Sequence, residues 1–96
     1  MTLTNELRRL LSKYIESTEA VLAEIKIAMG THDVSEPQTH MVVAEAKRYL
    51  EDAKYYAENE KFETALASIA YSEGLLDALR LLGVVEFTWP RTEEKP

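Results

Sequence analysis

A chain of 96 residues, 46% of them hydrophobic and 29% charged, is long enough for one small globular domain. The absence of cysteine excludes disulfides, thiolate metal sites and a cysteine nucleophile. The formal net charge of -6 opposes contact with phosphate backbones, so we expect no nucleic-acid partner.

A first helix is predicted from about Thr4 to Met29. Its apolar residues follow one another at spacings of three and four, which is typical of a stripe that faces a bundle core. Gly30 suits the position just after the end of such a helix.

The same N-terminal stretch bears on localisation. The charges that begin at Glu6 do not suit a signal peptide, and no apolar run in the chain reaches the roughly 18 residues of a membrane span. We therefore expect a cytoplasmic protein that has no membrane contact.

A second helix is predicted to begin after the loop of residues 31–38. Ser35 followed by Gln38 is a capping-box pattern, and Pro37 suits a first turn, where no amide donor is needed. The three-and-four spacing continues to about Glu58. Asn59 is predicted to adopt the left-handed conformation in the short connection that follows, which makes the next helix an antiparallel neighbour.

A third helix is predicted from near Phe62 to Gly83. Beyond it, Val85, Phe87 and Trp89 alternate with polar residues, and this period of two indicates extended chain. The sequence thus predicts an all-α fold: an up-and-down three-helix bundle over residues 1–83, then an extended apolar tail and a disordered terminus over residues 84–96.

The third helix carries more apolar surface than a three-helix bundle can bury. Its second half has one charged stripe, roughly 60° wide on a helical wheel, whereas a bundle helix needs an apolar arc of only about 100 to 150°. The tail, a second copy of the protein or another protein could cover the excess. A glycine inside a helix costs about 1 kcal/mol relative to alanine, and it is tolerated where another backbone must approach closely. Gly74 is therefore predicted to lie at a close helix contact. The predicted interface residues are Gly74, Leu75, Leu79, Leu82, Phe87 and Trp89.

An alternative hypothesis is a small-ligand or nucleotide-binding site on the tyrosine-rich second and third helices. A deep pocket ringed by tyrosines would favour this alternative, and a flat apolar face would favour the interface. The candidate ligand-binding residues are Asp52, Tyr56, Tyr71, Asp77 and Arg80.

Two further patterns are weak as signs of chemistry. His32, Glu36 and His40 stand at intervals of four, as metal ligands on one helix face can, but the capping Ser35 places His32 outside the helix. Asp77 and Arg80 can pair on one face without supplying the acid, base and cleft of a catalytic site. We therefore expect no metal, no cofactor and no enzymatic activity.

Residues 52–83 resemble an archaeal family of unknown function, domain-of-unknown-function family 357. The resemblance is carried by Asp52-Ala53, by Tyr55-Tyr56, by Ala65 with the run of residues 67–71, and by the run of residues 74–78. It implies an up-and-down three-helix bundle and no catalytic residues. Together these observations predict a non-enzymatic module that forms a homodimer or binds an unidentified protein partner through its apolar third helix.

Overall fold

The computed structural model describes residues 3–28 and 34–90. Helix α1 spans Leu3–Glu24, α2 spans Glu36–Glu58 and α3 spans Phe62–Leu81. Two short strands, β1 at Lys26–Ile27 and β2 at Val85–Glu86, pair antiparallel. Three helices in the up-and-down order confirm the predicted fold class.

Helix α1 ends at Glu24, so the prediction that it runs to Met29 is wrong over its last turn. Lys26 and Ile27 lie opposite Glu86 and Val85 in the ladder, and the Ala28 amide donates to the Val84 carbonyl at 3.0 Å. Pairing with the tail therefore replaces the last helical turn. Met29 and Gly30, with the helix end predicted there, lie outside the described residues.

Helix α2 begins at the predicted capping box. The Gln38 amide donates to the Ser35 hydroxyl at 3.2 Å, and the Ser35 amide donates to the Gln38 side chain at 3.3 Å. These two bonds satisfy amides that a helix start otherwise leaves unpaired. The cap thus fixes where α2 starts.

The left-handed residue between α2 and α3 is Glu60, with φ of 61°, and not Asn59, whose φ is -95°. Asn59 is the last residue of the helix end, and its side chain donates to the Tyr55 carbonyl at 2.8 Å. The left-handed position of a helix end falls one residue later. The prediction had the correct turn and the wrong residue.

Helix α3 ends in a pair of backbone bonds that turn the chain into the tail. The Gly83 amide donates to the Arg80 carbonyl and the Val84 amide to the Leu79 carbonyl, at 3.0 and 3.2 Å. Gly83 has φ of 78°, as the glycine of this Schellman arrangement does. The turn directs Val84 and Val85 into the core, where both are buried.

The core lies where the three helices meet. Helices α2 and α3 contact each other far more extensively than either contacts α1, so they form a hairpin on which α1 packs. Within the hairpin, the Ser72 hydroxyl donates to the Ala46 carbonyl at 2.6 Å. Small buried residues, Ser72 and Ala46 among them, thus allow the two helices to lie close together.

Gly74 does not lie at a close helix contact, and that prediction is wrong for the isolated chain. Gly74 is exposed, and a Cβ atom built on it would have nothing within 4 Å. The reason is its angular position, because the buried residues of α3 point to the opposite side of the helix.

Candidate interaction surface

Helix α3 has a solvent-facing side with hardly any charge. Between Ala67 and Leu82 the only exposed charged residue is Arg80, which is paired with Asp77. Tyr71, Leu81 and Leu82 are 53%, 76% and 63% exposed. We name the remaining exposed set the outer face of α3: Ala67, Ala70, Tyr71, Gly74, Ala78, Leu81 and Leu82.

The exposed sides of α1 and α2 differ from this face. Both alternate apolar and charged residues, for example Glu16 and Glu19 on α1 and Lys47 and Glu51 on α2. A contiguous apolar surface flanked by polar residues is typical of a contact site, whereas scattered exposed apolar residues are ordinary. The outer face of α3 is therefore the strongest candidate for an interaction surface.

Aromatic contacts extend this face onto α2. The rings of Tyr71 and Tyr49 lie 4.5 Å apart between centroids, and the Arg48 guanidinium lies 5.0 Å from the centroid of the Tyr49 ring. Arg48 also donates to both carboxylate oxygens of Glu45, at 2.7 and 3.0 Å. These hydrogen bonds lower the pKa of Glu45 and raise that of Arg48. A neutral ion pair thus borders the apolar face.

The predicted interface residues occupy different places. Leu79 is buried in one cluster with Val84 and Val85, and Leu75 packs partly buried against Ala46 and its neighbours. Leu82 is exposed on the outer face. The tail therefore covers part of the apolar surface of α3, and the outer face is the part left open.

The tail is fastened to the charged stripe of α3. The Trp89 indole Nε1 donates to Asp77 Oδ1 at 2.9 Å, and Arg80 donates to the same oxygen at 3.1 Å through Nε. The rings of Phe87 and Trp89 contact edge to face, 5.1 Å apart. Phe87 and Trp89 therefore belong to an internal contact with α3.

Hydrogen bonds set the ionisation of this stripe. The indole donor, followed by Arg80, lowers the pKa of Asp77. Burial, with a smaller contribution from the Asp77 charge, raises the pKa of Glu73. The pKa values of two carboxylates one turn apart are thus shifted in opposite directions, because only Asp77 accepts hydrogen bonds from the indole and from Arg80.

The candidate ligand residues do not meet in one place. Tyr71 contacts Tyr49, whereas Asp77 and Arg80 engage the tail. A groove of about 870 Å³ beside the two strands is lined by Arg80 and by none of the tyrosines. Within the described ranges Asp52 forms no hydrogen bond with a tyrosine.

The pattern of His32, Glu36 and His40 falls only partly on residues that the structure describes. In residues 3–28 and 34–90 no three His, Asp or Glu side chains are grouped so that they could hold a metal ion. His40 is exposed on α2, and His32 lies outside these ranges. Within the same ranges, no helix combines the length and the apolar character that a membrane span requires.

Sequence reasoning missed the part of the surface on α2. Glu45, Arg48 and Tyr49 follow each other at helical spacing, and this signal was present in the sequence. It became informative only when the hairpin placed Tyr49 beside Tyr71.

Over the ranges that the structure describes, the fold and surface define a small three-helix protein whose third helix has an open apolar face. Residues 13–85 match the model of the family described as Protein of unknown function (DUF357). The chain therefore belongs to this family, as the resemblance over residues 52–83 indicated. No curated protein and no solved structure gives a significant match.

Proposed function

We propose that the protein is a non-enzymatic interaction module that binds a protein partner through the outer face of α3. Such a module would act in the cytoplasm, as the sequence led us to expect, and in an archaeal cell, as the family resemblance implied. The observation that carries the proposal is the exposure of Tyr71, Leu81 and Leu82 on a side of α3 that has almost no charge. Water contact with this surface is unfavourable, and a partner would remove it.

The small residues of the face support the same proposal. Ala70, Gly74 and Ala78 follow each other one turn apart and leave the α3 backbone accessible. A partner helix can approach such a surface more closely than one covered by long side chains. The mid-helix glycine then has a use, although it costs about 1 kcal/mol in helix propensity.

The test compares two exposed alanines. Ala70→Arg adds a bulky charge to the outer face, whereas the matched Ala20→Arg adds the same charge to an exposed position of α1. Tagged forms of the wild type and both variants are used to isolate bound proteins from a lysate of the cells that make the protein. An untagged copy of the protein is added to the lysate, so that binding of a second copy is also detected.

The expected result is that Ala70→Arg loses at least one bound protein that the wild type and Ala20→Arg retain. Retention of every bound protein by Ala70→Arg would contradict the proposal. Circular dichroism of both variants checks that the fold is intact.

A further inference from the structure

The outer face of α3 and the Glu45–Arg48 pair together select a second copy of this chain as the partner. Resting on the function proposed above, we infer that two copies pack antiparallel, α3 against α3, with the two-fold axis close to Gly74. In this arrangement Glu45 of each copy faces Arg48 of the other.

Size complementarity sets the antiparallel direction. Ala70 and Ala78 lie four residues on either side of Gly74, and Ala67 and Leu81 lie seven residues on either side. An antiparallel pair centred on Gly74 places alanine against alanine near the axis and small Ala67 against large Leu81 at each end. A parallel pair would set leucine against leucine at one end and leave a gap between alanines at the other.

The register of the hairpin places the charges. The Ser72–Ala46 hydrogen bond and the Tyr49–Tyr71 ring contact put Gly74 at the level of Glu45 and Ala46. Glu45 and Arg48 are about 4.5 Å apart along the helix axis, so a two-fold axis at this level passes close to both. Their side chains are half exposed and bond each other within one copy. In the dimer each of them would exchange that bond for one to the opposite charge across the axis.

Charge complementarity favours this occupant. A two-fold interface pairs each residue with its counterpart reciprocally, so one anion and one cation per copy give two opposite-charge contacts. Each chain carries a formal net charge of -6, and two copies repel each other over most of their surfaces. The outer face is uncharged and its Glu45–Arg48 border is neutral, so contact there adds little to that repulsion.

The test is a charge-reversal experiment read by sedimentation equilibrium. Glu45→Arg leaves two cations at the border and Arg48→Glu leaves two anions, and each variant alone should dimerise at least about tenfold more weakly than the wild type. An equimolar mixture of the two should recover the dimer as a mixed pair. Lys47→Glu, on an exposed position beside Arg48, is the matched control and should dimerise like the wild type.

A second pair of variants tests the approach at Gly74 without touching charge. Gly74→Leu and Gly74→Ala should both preserve the fold, because a Cβ there meets nothing. Gly74→Leu should abolish the dimer, since its side chain would occupy the place of the partner backbone, and Gly74→Ala should retain it.

Two results would overturn the inference. The first is a wild-type protein that stays monomeric up to about 1 mM, a concentration at which even a dimer of millimolar affinity would be populated. The second is a dimer that Glu45→Arg and Arg48→Glu leave unchanged. Neither result decides the proposed function, which fails only if Ala70→Arg retains every partner in the lysate experiment.

Discussion

At the scale of single residues, Thr18 carries a buried hydroxyl that has no hydrogen-bond partner. Its side chain is fully buried in α1, and its Oγ1 has no hydrogen-bond partner. Thr39 is also buried, but its Oγ1 donates to the Ser35 carbonyl at 3.0 Å. The two threonines therefore differ in whether the hydroxyl offsets the cost of leaving water.

Thr18→Val should raise the free energy of unfolding by about 1 kcal/mol, because it removes an unsatisfied polar group and keeps the side-chain shape. Urea unfolding followed by circular dichroism measures the change. Thr39→Val is the matched control and should lower the stability, since it breaks a hydrogen bond. Equal effects of both substitutions would mean that Thr18 has a partner.

At the scale of elements, the tail is held to α3 by the Trp89–Asp77 bond. Trp89→Phe keeps a ring and removes the indole donor, so it should lower the free energy of unfolding by about 1 kcal/mol at neutral pH. The measurement is urea unfolding in a double-mutant cycle with Asp77→Ala. If Trp89→Phe costs as much in the Asp77→Ala background, the hydrogen bond contributes nothing.

The same bond gives a pH dependence with a definite sign. The pKa of Asp77 is lowered in the folded state from its ordinary value near 3.8. Its contribution is therefore fully present above that ordinary value and is lost as the pH falls through the lower folded value. The stability difference between the wild type and Trp89→Phe should shrink in acid, and unfolding series at several pH values measure it.

At the scale of the whole molecule, the helices form an elongated body, 50 × 27 × 17 Å in extent. A small elongated body has little core, so each buried residue of the tail matters for its stability. Val84 and Val85 are both buried, and they complete a cluster around Leu79.

Truncation after Gly83 should therefore lower the free energy of unfolding by about 3 kcal/mol or more, since two valines leave the core and Phe87 and Trp89 leave the surface they cover. Urea unfolding measures the loss, and binding of the dye ANS should increase as apolar surface is exposed. Thr88→Ala, at an exposed position in the tail, should change neither quantity. A truncated protein of unchanged stability would show that the tail does not hold the core together.

The parts of the fold that depend on local chemistry could be predicted from the sequence. The Ser35–Gln38 cap and the three helices follow from residues within one or two turns of each other. The strand at Lys26–Ile27 could not be predicted, because Ile25 and Ala28 continue the helical spacing and the competing partner lies at the other end of the chain.

The candidate surface was predicted only in part, for a related reason. The sequence indicated the excess apolar surface of α3. It did not indicate which part of that surface the tail covers and which part faces solvent. Gly74 shows the limit most clearly, because a small residue on a helix indicates close approach without telling which helix approaches. The Trp89–Asp77 bond depends on the direction in which the chain leaves the turn at Gly83. The periodicity of apolar residues in the sequence does not contain that direction.

The two-residue ladder also has a consequence for how the chain folds. Ile27 and Val85 are about 60 residues apart, and the entire α2–α3 hairpin lies between them. Contacts inside the hairpin are nearer in sequence and cost less loop-closure entropy, so we expect them to form before the ladder does. Pairing of the two strands then closes a loop in which the hairpin is already folded. The rate at which the ladder forms therefore depends on how far the hairpin has formed.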